Sequence, residues 1–334
     1  MIQFWFHEYE LNPIMSIGAV AAQEARKGAL MKVQWPNGKV GYADLHPWPE
    51  LGDHDLSTHL DALRAGKISA LVEQVIWLAK RDADARKEGK NLLTGLPKIK
   101  NHFLLNDSTK LSDAMIKEIK SSGFTTLKVK VGKDVDQEAK FIARTIKQNT
   151  WLTLRLDFNA KVDFSRFERF MSQMGPVERA KIEFVEDPIP WNLEGWREAA
   201  KLATLAIDNE LDKIDPDQLG TLGELPFKVL VIKPARQDVE AAKDLVSKFN
   251  LRCVVTSALD HPVGVVHAAA VAGEIKKILP NHSLDAGCLS LRAYKPNEFT
   301  SRLQVQGPYL QSAVGLGAGF DDLLAKIEWT PLKK

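Results

Sequence analysis

Five ionisable side chains stand at or near the ends of short apolar runs, at nearly even intervals along the chain. They are Lys130, Asp157, Glu186, Asp208 and Lys233. The steps between them are 27, 29, 22 and 25 residues, about the length that a strand, a helix and two short loops occupy in a βαβ unit. A parallel (β/α) barrel would bring all five to its C-terminal face, where such barrels hold their active sites. The spacing therefore predicts a barrel that carries a metal site flanked by bases.

The middle of the chain repeats the same alternation of strand and helix. Between residues 102 and 285 the strand-like runs are HFLLN, TLKVKV, LTLRL, KIEFV, TLAI, FKVLVI, LRCVV and the weaker SLDAG. Helical stretches separate them at 111–122, 135–148, 163–173, 194–202, 215–222, 237–249 and 262–274. Eight strands with seven helices predict an α/β fold, a modified TIM (β/α) barrel whose last helix is missing or displaced. An open doubly wound sheet is the alternative, but no GxGxxG motif follows any strand.

The first hundred residues have the pattern of a separate α+β unit. Two strand-like runs, 31–35 and 40–42, flank Asn37-Gly38, which tolerates the positive φ angles of a hairpin turn. The apolar tail from Leu291 onward is expected to pack back on this unit. We therefore expect a capping domain at 1–98, a barrel at 99–290 and a C-terminal segment at 291–334.

Composition limits the classes of partner. The 334 residues include 45 basic and 43 acidic ones, interspersed, for a net charge of +2, which gives no electrostatic case for nucleic acid. Cys253 and Cys288 are too few for a metal cage and fit a reducing compartment. The N-terminus lacks the features of a signal peptide, and the longest uncharged apolar stretch, 262–273, is too short for a bilayer. We expect a cytoplasmic protein without nucleic-acid or membrane partners, either a monomer or a homo-oligomer.

Three lysines are candidates for proton transfer. Lys128 and Lys130 flank Val129, so strand alternation puts both side chains on one face. Inside a barrel they would be costly unless they point into an active-site mouth, and crowding lowers the pKa of a lysine towards that of a useful base. An exposed edge strand with solvated lysines is the alternative. Lys233 ends a very apolar run and faces either the barrel mouth or a carboxylate in the wall.

Asp157, Glu186 and Asp208 are candidate metal ligands. Hard cations such as Mg²⁺ take oxygen ligands, and three carboxylates leave positions for a substrate carboxylate. A single Asp after a strand more commonly caps a helix, but three carboxylates on one register favour a metal site. The polar residues expected to support this site are Asn159, Asp187, Asn209 and Glu210.

Five short motifs carry a family resemblance. They are LKVKVG, RLDFNA, EFVEDPI, IDNEL and VIKPA, in this order and spacing. Together they resemble the muconate-lactonizing-enzyme-like branch of the enolase superfamily, and most closely its o-succinylbenzoate synthases of menaquinone biosynthesis. The resemblance covers nearly the whole chain. It is specific for the branch and less so for the reaction, because racemases, epimerases and cycloisomerases share these motifs.

The resemblance implies a role for each of these residues. Asp157, Glu186 and Asp208 would bind Mg²⁺, with Mn²⁺ as a substitute, and the ion would bind the carboxylate of a small-molecule substrate. Lys130 matches the base of the family and Lys128 its supporting partner, while Lys233 resembles a cationic stabiliser on the opposite face. The implied reaction is β-elimination of water from 2-succinyl-6-hydroxy-2,4-cyclohexadiene-1-carboxylate through an enediolate.

Residues that select substrate are expected in three loops. The stretch 256–264 resembles the loop after the seventh strand that holds substrate in the synthases, which makes Ser257 a candidate contact; Asp260 and His261 depart from the usual residues there. Asn159 is a further candidate. Loops at 23–28 and 47–52 match segments that close over the barrel mouth, which adds Arg26 and Trp48.

Two other functions fit part of the pattern. Lys130 and Lys233 on opposite faces would serve an N-acylamino acid racemase, a dipeptide epimerase or a cycloisomerase of the same branch. However, Ser283-Leu284-Asp285 lacks the first acid of the Asp-x-Asp typical of the epimerases. A non-catalytic binding barrel is the alternative outside the class, against which the intact set of five residues argues. Ordinary surface or core roles are expected for His7, His46, His54, His59, His102, His267 and His282.

Overall fold

The chain forms an antiparallel sheet and a parallel barrel. The computed structural model describes residues 2–14, 24–215, 219–220 and 222–333. The strands are β1 (Gln3–Leu11), β2 (Arg26–Gln34), β3 (Val40–Leu45), β4 (Phe103–Leu105), β5 (Thr126–Lys130), β6 (Thr153–Asp157), β7 (Ile182–Glu186), β8 (Leu205–Ile207), β9 (Val229–Ile232), β10 (Arg252–Val255), β11 (Gln304–Gln306), β12 (Tyr309–Gln311) and β13 (Thr330–Pro331).

The N-terminal sheet has the order β13-β1-β2-β3, with antiparallel neighbours throughout. The turn between β2 and β3 places Gly38 at φ 80°, as expected for the Asn-Gly pair. The helices Leu56–Arg64 and Ala70–Lys87 follow, each with a side-chain N-cap, and bury their apolar faces against this sheet. The predicted α+β cap is thus present.

The barrel strands are parallel neighbours in the order β10-β9-β8-β7-β6-β5-β4. Residues 283–287 complete the ring, because Ser283 and Gly287 bridge to β10 and the loop after it, and Ala286 bridges to Asn101 just before β4. The weak eighth strand expected from SLDAG therefore exists as a short bridging segment. The predicted barrel with an N-terminal α+β cap is confirmed.

The helices of the barrel cover its outer face. They and the C-terminal helices are Asp113–Ser121, Val135–Gln148, Phe164–Ser172, Pro176–Arg179, Leu193–Ala200, Val239–Lys248, Pro262–Ile278, Glu298–Arg302 and Asp321–Leu324. The helix predicted at 215–222 falls partly outside the described residues. After the eighth strand the described chain makes a short 3-10 turn, Ser290–Ala293, in place of a further barrel helix. Within the described residues no helix has both the length and the apolarity needed to traverse a bilayer.

The C-terminal segment returns to the cap. Strand β13 pairs with β1 through Trp5–Pro331 and Phe6–Thr330. Leu303 and Phe320 belong to a buried cluster that also contains Leu30 of the cap sheet and residues of the helix Pro262–Ile278. The expected completion of the cap by the end of the chain is confirmed.

Gly41 sets the distance between the cap sheet and its long helix. A Cβ at this position would lie 1.9 Å from the backbone oxygen of Ala79. We expect Gly41→Ala to lower the free energy of unfolding by about 2 kcal/mol or more, since a backbone group must move to make room. Gly38→Ala is the control, because its Cβ would meet nothing within 4 Å. This substitution should lower the free energy of unfolding only by the strain of an alanine at positive φ, about 1 kcal/mol. Denaturant titration measures both, and equal losses would contradict this account.

Candidate active site

The ends of neighbouring barrel strands bring the predicted side chains to one face. In the register of the sheet, Lys130 pairs with Asp157, and Asp157 with Glu186. Asp208 directly follows β8, and Lys233 directly follows β9. All five line one pocket together with Lys128. The even spacing in the sequence thus reflects a shared position in the barrel.

Lys128 joins two of the carboxylates. Its Nζ lies 2.6 and 2.7 Å from the two carboxylate oxygens of Glu186 and 3.0 Å from Oδ2 of Asp157. Burial alone would lower the pKa of Lys128, but the charges of Asp157 and Glu186 outweigh it and raise the pKa. Burial and the neighbouring carboxylates raise the pKa of Glu186 to about 7, against the effect of Lys128. Lys128 is therefore a permanent cation.

Lys233 holds the third carboxylate. Its Nζ donates to Oδ2 of Asp208 at 2.5 Å and to Oδ1 of Asn209 at 3.2 Å. Asn209 also donates to Oδ2 of Asp208 at 3.0 Å. Asp187 fixes this loop, since its carboxylate accepts from the backbone N–H groups of Asp208 and Asn209 at 2.9 and 3.0 Å. The side chain of Lys233 is thus engaged by Asp208 and Asn209.

Lys130 differs from the other two lysines. Among the described residues its ammonium has no hydrogen bond or ion pair, although it lines the same pocket. Burial lowers the pKa of Lys130, and the positive charges of Lys128 and Lys233 add to this effect against the opposing charge of Asp157. A lysine with a lowered pKa and a free amine is suited to take up a proton.

The donor set fits a hard divalent cation. Asp157, Glu186 and Asp208 are all buried and supply only oxygen atoms. Oδ1 of Asp208 is buried and has no hydrogen-bond partner among the residues that the structure describes, so it has an unused lone pair. In the described parts of the chain no three His, Cys, Asp or Glu side chains are already grouped to hold a metal ion. Here the ammonium groups of Lys128 and Lys233 balance the carboxylates instead.

The opposite wall of the pocket carries hydroxyl groups. Ser257 lies on the loop after β10, and its Oγ is 2.7 Å from Oγ of Ser290. Both serine side chains line the pocket.

Asn159 also lines the pocket. It is turned to Asp157, to which its side chain donates at 2.8 Å. Asn159 therefore orients a carboxylate at the edge of the pocket.

The cap supplies Trp48 to the pocket. Its indole N–H donates to the carbonyl of Ala258 at 3.0 Å, which ties the cap to the loop after β10. Arg26 lies in strand β2, not in a loop, and outside the set of described residues that line the pocket; Gln23 lies outside the described residues. The Arg26 guanidinium stacks 3.9 Å over the Trp48 ring and binds Glu50 at 2.5 and 2.8 Å. Arg26 therefore supports the Trp48 ring from the cap.

Three further residues lie off the pocket: Glu210, which the sequence suggested as a support of the metal site, and Asp260 and His261, which depart from the family pattern. Glu210 accepts from the backbone N–H of Trp191 and from Lys213, so it fixes a loop and not the candidate metal ligands. Asp260 is buried and accepts from the N–H of Ala258. His261 caps the helix that follows it. None of the three is among the described residues that line the pocket.

Some pocket residues escaped sequence reasoning. Arg236 lines the pocket and is bound to Asp53 of the cap at 2.6 and 3.1 Å. It stands three residues after Lys233 in the same strand-end loop, a position that could have identified it. His102 and Ser290 also line the pocket, and no local motif marks either of them.

Comparison with known proteins decides the family. The family model described as the N-terminal domain of O-succinylbenzoate synthase matches residues 4–85, and the enolase C-terminal domain-like model matches residues 111–323. An o-succinylbenzoate synthase of Bdellovibrio bacteriovorus is 44% identical over 333 residues, which span 100% of this chain and 99% of the relative. The chain belongs to the o-succinylbenzoate synthase family.

Solved structures agree with the fold of the o-succinylbenzoate synthase family. A mandelate racemase/muconate lactonizing protein from Herpetosiphon aurantiacus matches with a TM-score of 0.74 and 17% identity, covering 96% of this chain and 97% of the other. The L-Ala-D/L-Glu epimerase from Bacillus subtilis, in a substrate-liganded complex, matches with a TM-score of 0.75 and 16% identity, covering 95% and 97%. At these identities the likeness supports the enolase-superfamily fold alone.

Lys128 is expected to stabilise the folded protein through charge. In Lys128→Met without added divalent cations, the buried Asp157 and Glu186 lose their ammonium partner, and we expect the free energy of unfolding at pH 8 to fall by about 3–5 kcal/mol. The pKa of Glu186 is raised in the folded state, so folding takes up a proton and stability falls as pH rises through about 7. At pH 5 the carboxyl of Glu186 is protonated and does not need an ammonium partner, so the loss caused by Lys128→Met should be smaller there. Denaturant titration with the exposed Lys117→Met as control measures this, and a loss independent of pH would contradict it.

Proposed function

We propose that this protein catalyses the syn β-elimination of water from 2-succinyl-6-hydroxy-2,4-cyclohexadiene-1-carboxylate to give o-succinylbenzoate. Its membership of the o-succinylbenzoate synthase family, over the full chain, supports the reaction. The observation that carries the mechanism is the unequal state of the lysines at the barrel mouth. Lys128 and Lys233 are bound to carboxylates, whereas Lys130 has no hydrogen bond or ion pair with any described residue.

Asp157, Glu186 and Asp208 would hold Mg²⁺, or Mn²⁺ in its place. When bound, the ion supplies positive charge to the substrate carboxylate and so favours loss of the adjacent proton. Asn159 orients Asp157, and Asn209 orients Asp208. Asp187 fixes the backbone on which Asp208 and Asn209 stand.

Lys130 performs both proton transfers in this proposal. Its neutral amine takes the proton from the carbon that bears the carboxylate, and the C–H electron pair moves into the carboxylate to form an enediolate. The pair then returns to form the ring double bond as the carbon–oxygen bond at position 6 breaks. The Lys130 ammonium gives its proton to the departing hydroxyl group, so that water leaves and the amine is restored.

Lys233 acts in this proposal as a fixed cation on the face of the substrate ring opposite to Lys130. Its contact with Asp208 at 2.5 Å holds the side chain in place, which positions it to stabilise negative charge on the substrate and makes it less suited to proton removal. A racemase would need an exchangeable proton on each side of the carbon. The asymmetry between Lys130 and Lys233 therefore favours elimination with one base.

The cap is proposed to complete the pocket. In this division, residues 1–98 and 291–334 form the cap, and residues 99–290 form the barrel that carries the charged groups. Trp48 reaches Ala258 from the cap, and Asp53 of the cap binds Arg236 of the barrel. Both contacts join the cap to loops that line the pocket, so the cap would exclude water from the bound substrate.

Lys130→Ala should lower turnover of the cyclohexadiene substrate by roughly 10²- to 10⁴-fold, the usual contribution of a general base. Turnover is followed by the loss of substrate absorbance with Mg²⁺ and after removal of the ion with EDTA, which should abolish it in the unmodified protein. Lys117→Ala, an exposed lysine on a barrel helix, is the matched control and should retain full turnover. Turnover that persists in Lys130→Ala would reject Lys130 as the base.

The pair Lys233→Arg and Lys233→Met separates charge from proton transfer. Because Lys233 serves as a cation, Lys233→Arg should retain at least roughly tenfold more turnover than Lys233→Met. N-acylated amino acids in deuterated water provide the second readout. Rapid exchange of the α-proton from both enantiomers, lost in Lys233→Arg, would instead make Lys233 a second base and favour the racemase.

A further inference from the structure

His102 lies on the floor of the pocket, below the lysines. It precedes β4, in which Leu104 is level with Lys128 of the neighbouring strand. The side chain of His102 is therefore two residues deeper in the barrel, yet it remains one of the residues that line the pocket. It is 6% exposed. The sequence marked it only as a histidine with an ordinary role.

Arg155 determines which nitrogen of His102 carries the proton. Arg155 is fully buried, and its Nη1 lies 2.8 Å from Nδ1 of His102 and 2.7 Å from the carbonyl of Asp285. Its Nε is bound to Glu183 at 2.7 Å. A guanidinium group can only donate hydrogen bonds, so Nδ1 of His102 must accept. The proton of the neutral ring is therefore on Nε2.

The imidazole of His102 is held neutral. Burial lowers its pKa well below the ordinary value, and the positive charges of Arg155 and Lys128 add to this effect. The ring consequently presents a single N–H donor, whose tautomer does not change near neutral pH.

Gly287 makes room for this ring. A Cβ on Gly287 would lie 2.5 Å from Cε1 and 2.9 Å from Nε2 of His102. Within the described residues, Nε2 of His102 has no hydrogen-bond partner, and its ring borders the pocket. The barrel thus holds an oriented donor that no described protein group uses.

We propose that Nε2–H of His102 binds an acceptor oxygen on the succinyl arm of the substrate. This inference rests on the proposed function and extends it to substrate recognition. The carboxylates that would bind the metal lie at the ends of β6, β7 and β8. His102 and Gly287 lie where β4 and residues 283–287 meet, on the other side of the barrel. In a substrate whose ring carboxylate faces the metal ligands, the succinyl arm begins at the adjacent ring carbon and is the part that we place against His102. The arm offers a ketone and a terminal carboxylate, both acceptors.

Two variants separate the donor from the structural role of the ring. His102→Asn keeps a side-chain oxygen that can accept from Arg155 but offers no group in place of Nε2. His102→Gln offers an amide N–H at the depth of Nε2. We expect His102→Asn to weaken the binding of o-succinylbenzoate by roughly tenfold or more, and His102→Gln to recover most of this loss.

Three ligands in the presence of Mg²⁺, measured by calorimetry, identify the oxygen. Benzoate lacks the arm, 2-acetylbenzoate has only the ketone, and o-succinylbenzoate has both groups. A loss in His102→Asn for 2-acetylbenzoate and o-succinylbenzoate alike assigns the ketone, and a loss for o-succinylbenzoate alone assigns the terminal carboxylate. Unchanged binding of benzoate shows that the metal side of the pocket is intact, and the exposed His7→Gln is the matched control.

An equal loss for all three ligands, or none, would overturn the proposal. Turnover by the unmodified protein is measured separately, so failure of the proposed function is distinguishable from failure of this inference. NMR of the protein with ¹⁵N-labelled histidine tests the role of Arg155 as a positioning residue without any substitution. It should show His102 protonated at Nε2 only, and a ring protonated at Nδ1 would also overturn the proposal.

Discussion

Three buried carboxylates can share one barrel mouth only if positive charge lies among them. Asp157, Glu186 and Asp208 end or follow adjacent strands, and bringing them together removes each from water. In the protein alone, Lys128 and Lys233 supply the balancing charge. In the proposed chemistry the same carboxylates would provide the oxygen ligands that a divalent cation needs. Charge balance therefore connects the stability of the barrel to the chemistry proposed for it.

The lysines acquire different roles from their contacts rather than from their residue type. Lys128 and Lys233 are bound to carboxylates. Lys130 stands in the same pocket and has no such partner in the described part of the chain, and burial lowers its pKa. A single strand therefore carries a fixed cation at 128 and a proposed base at 130, two residues apart on the same face. This arrangement explains how one pocket can stabilise negative charge and also move a proton.

The sequence was sufficient to predict the residues that stand at the ends of the barrel strands. Their spacing of 22 to 29 residues predicted the barrel and predicted that Asp157, Glu186, Asp208 and Lys233 share one face. Contacts between segments that are far apart in the sequence could not be predicted from it. Arg26 supports Trp48 because the cap sheet folds over the barrel, and Glu210 turns to the loop that holds Trp191. The pairing of His102 with Arg155, 53 residues apart, depends on barrel closure and leaves no local motif.

The proposed chemistry requires Asp157, Glu186 and Asp208 to act as ligands of one ion. A crystal structure of the protein grown with Mn²⁺ and o-succinylbenzoate tests this directly, because manganese gives an anomalous signal. We expect a single strong peak within bonding distance of carboxylate oxygens of Asp157, Glu186 and Asp208, with the ring carboxylate of the ligand as a further neighbour. A peak bound by other residues, or carboxylates still held by Lys128 and Lys233 with no ion between them, would contradict the account.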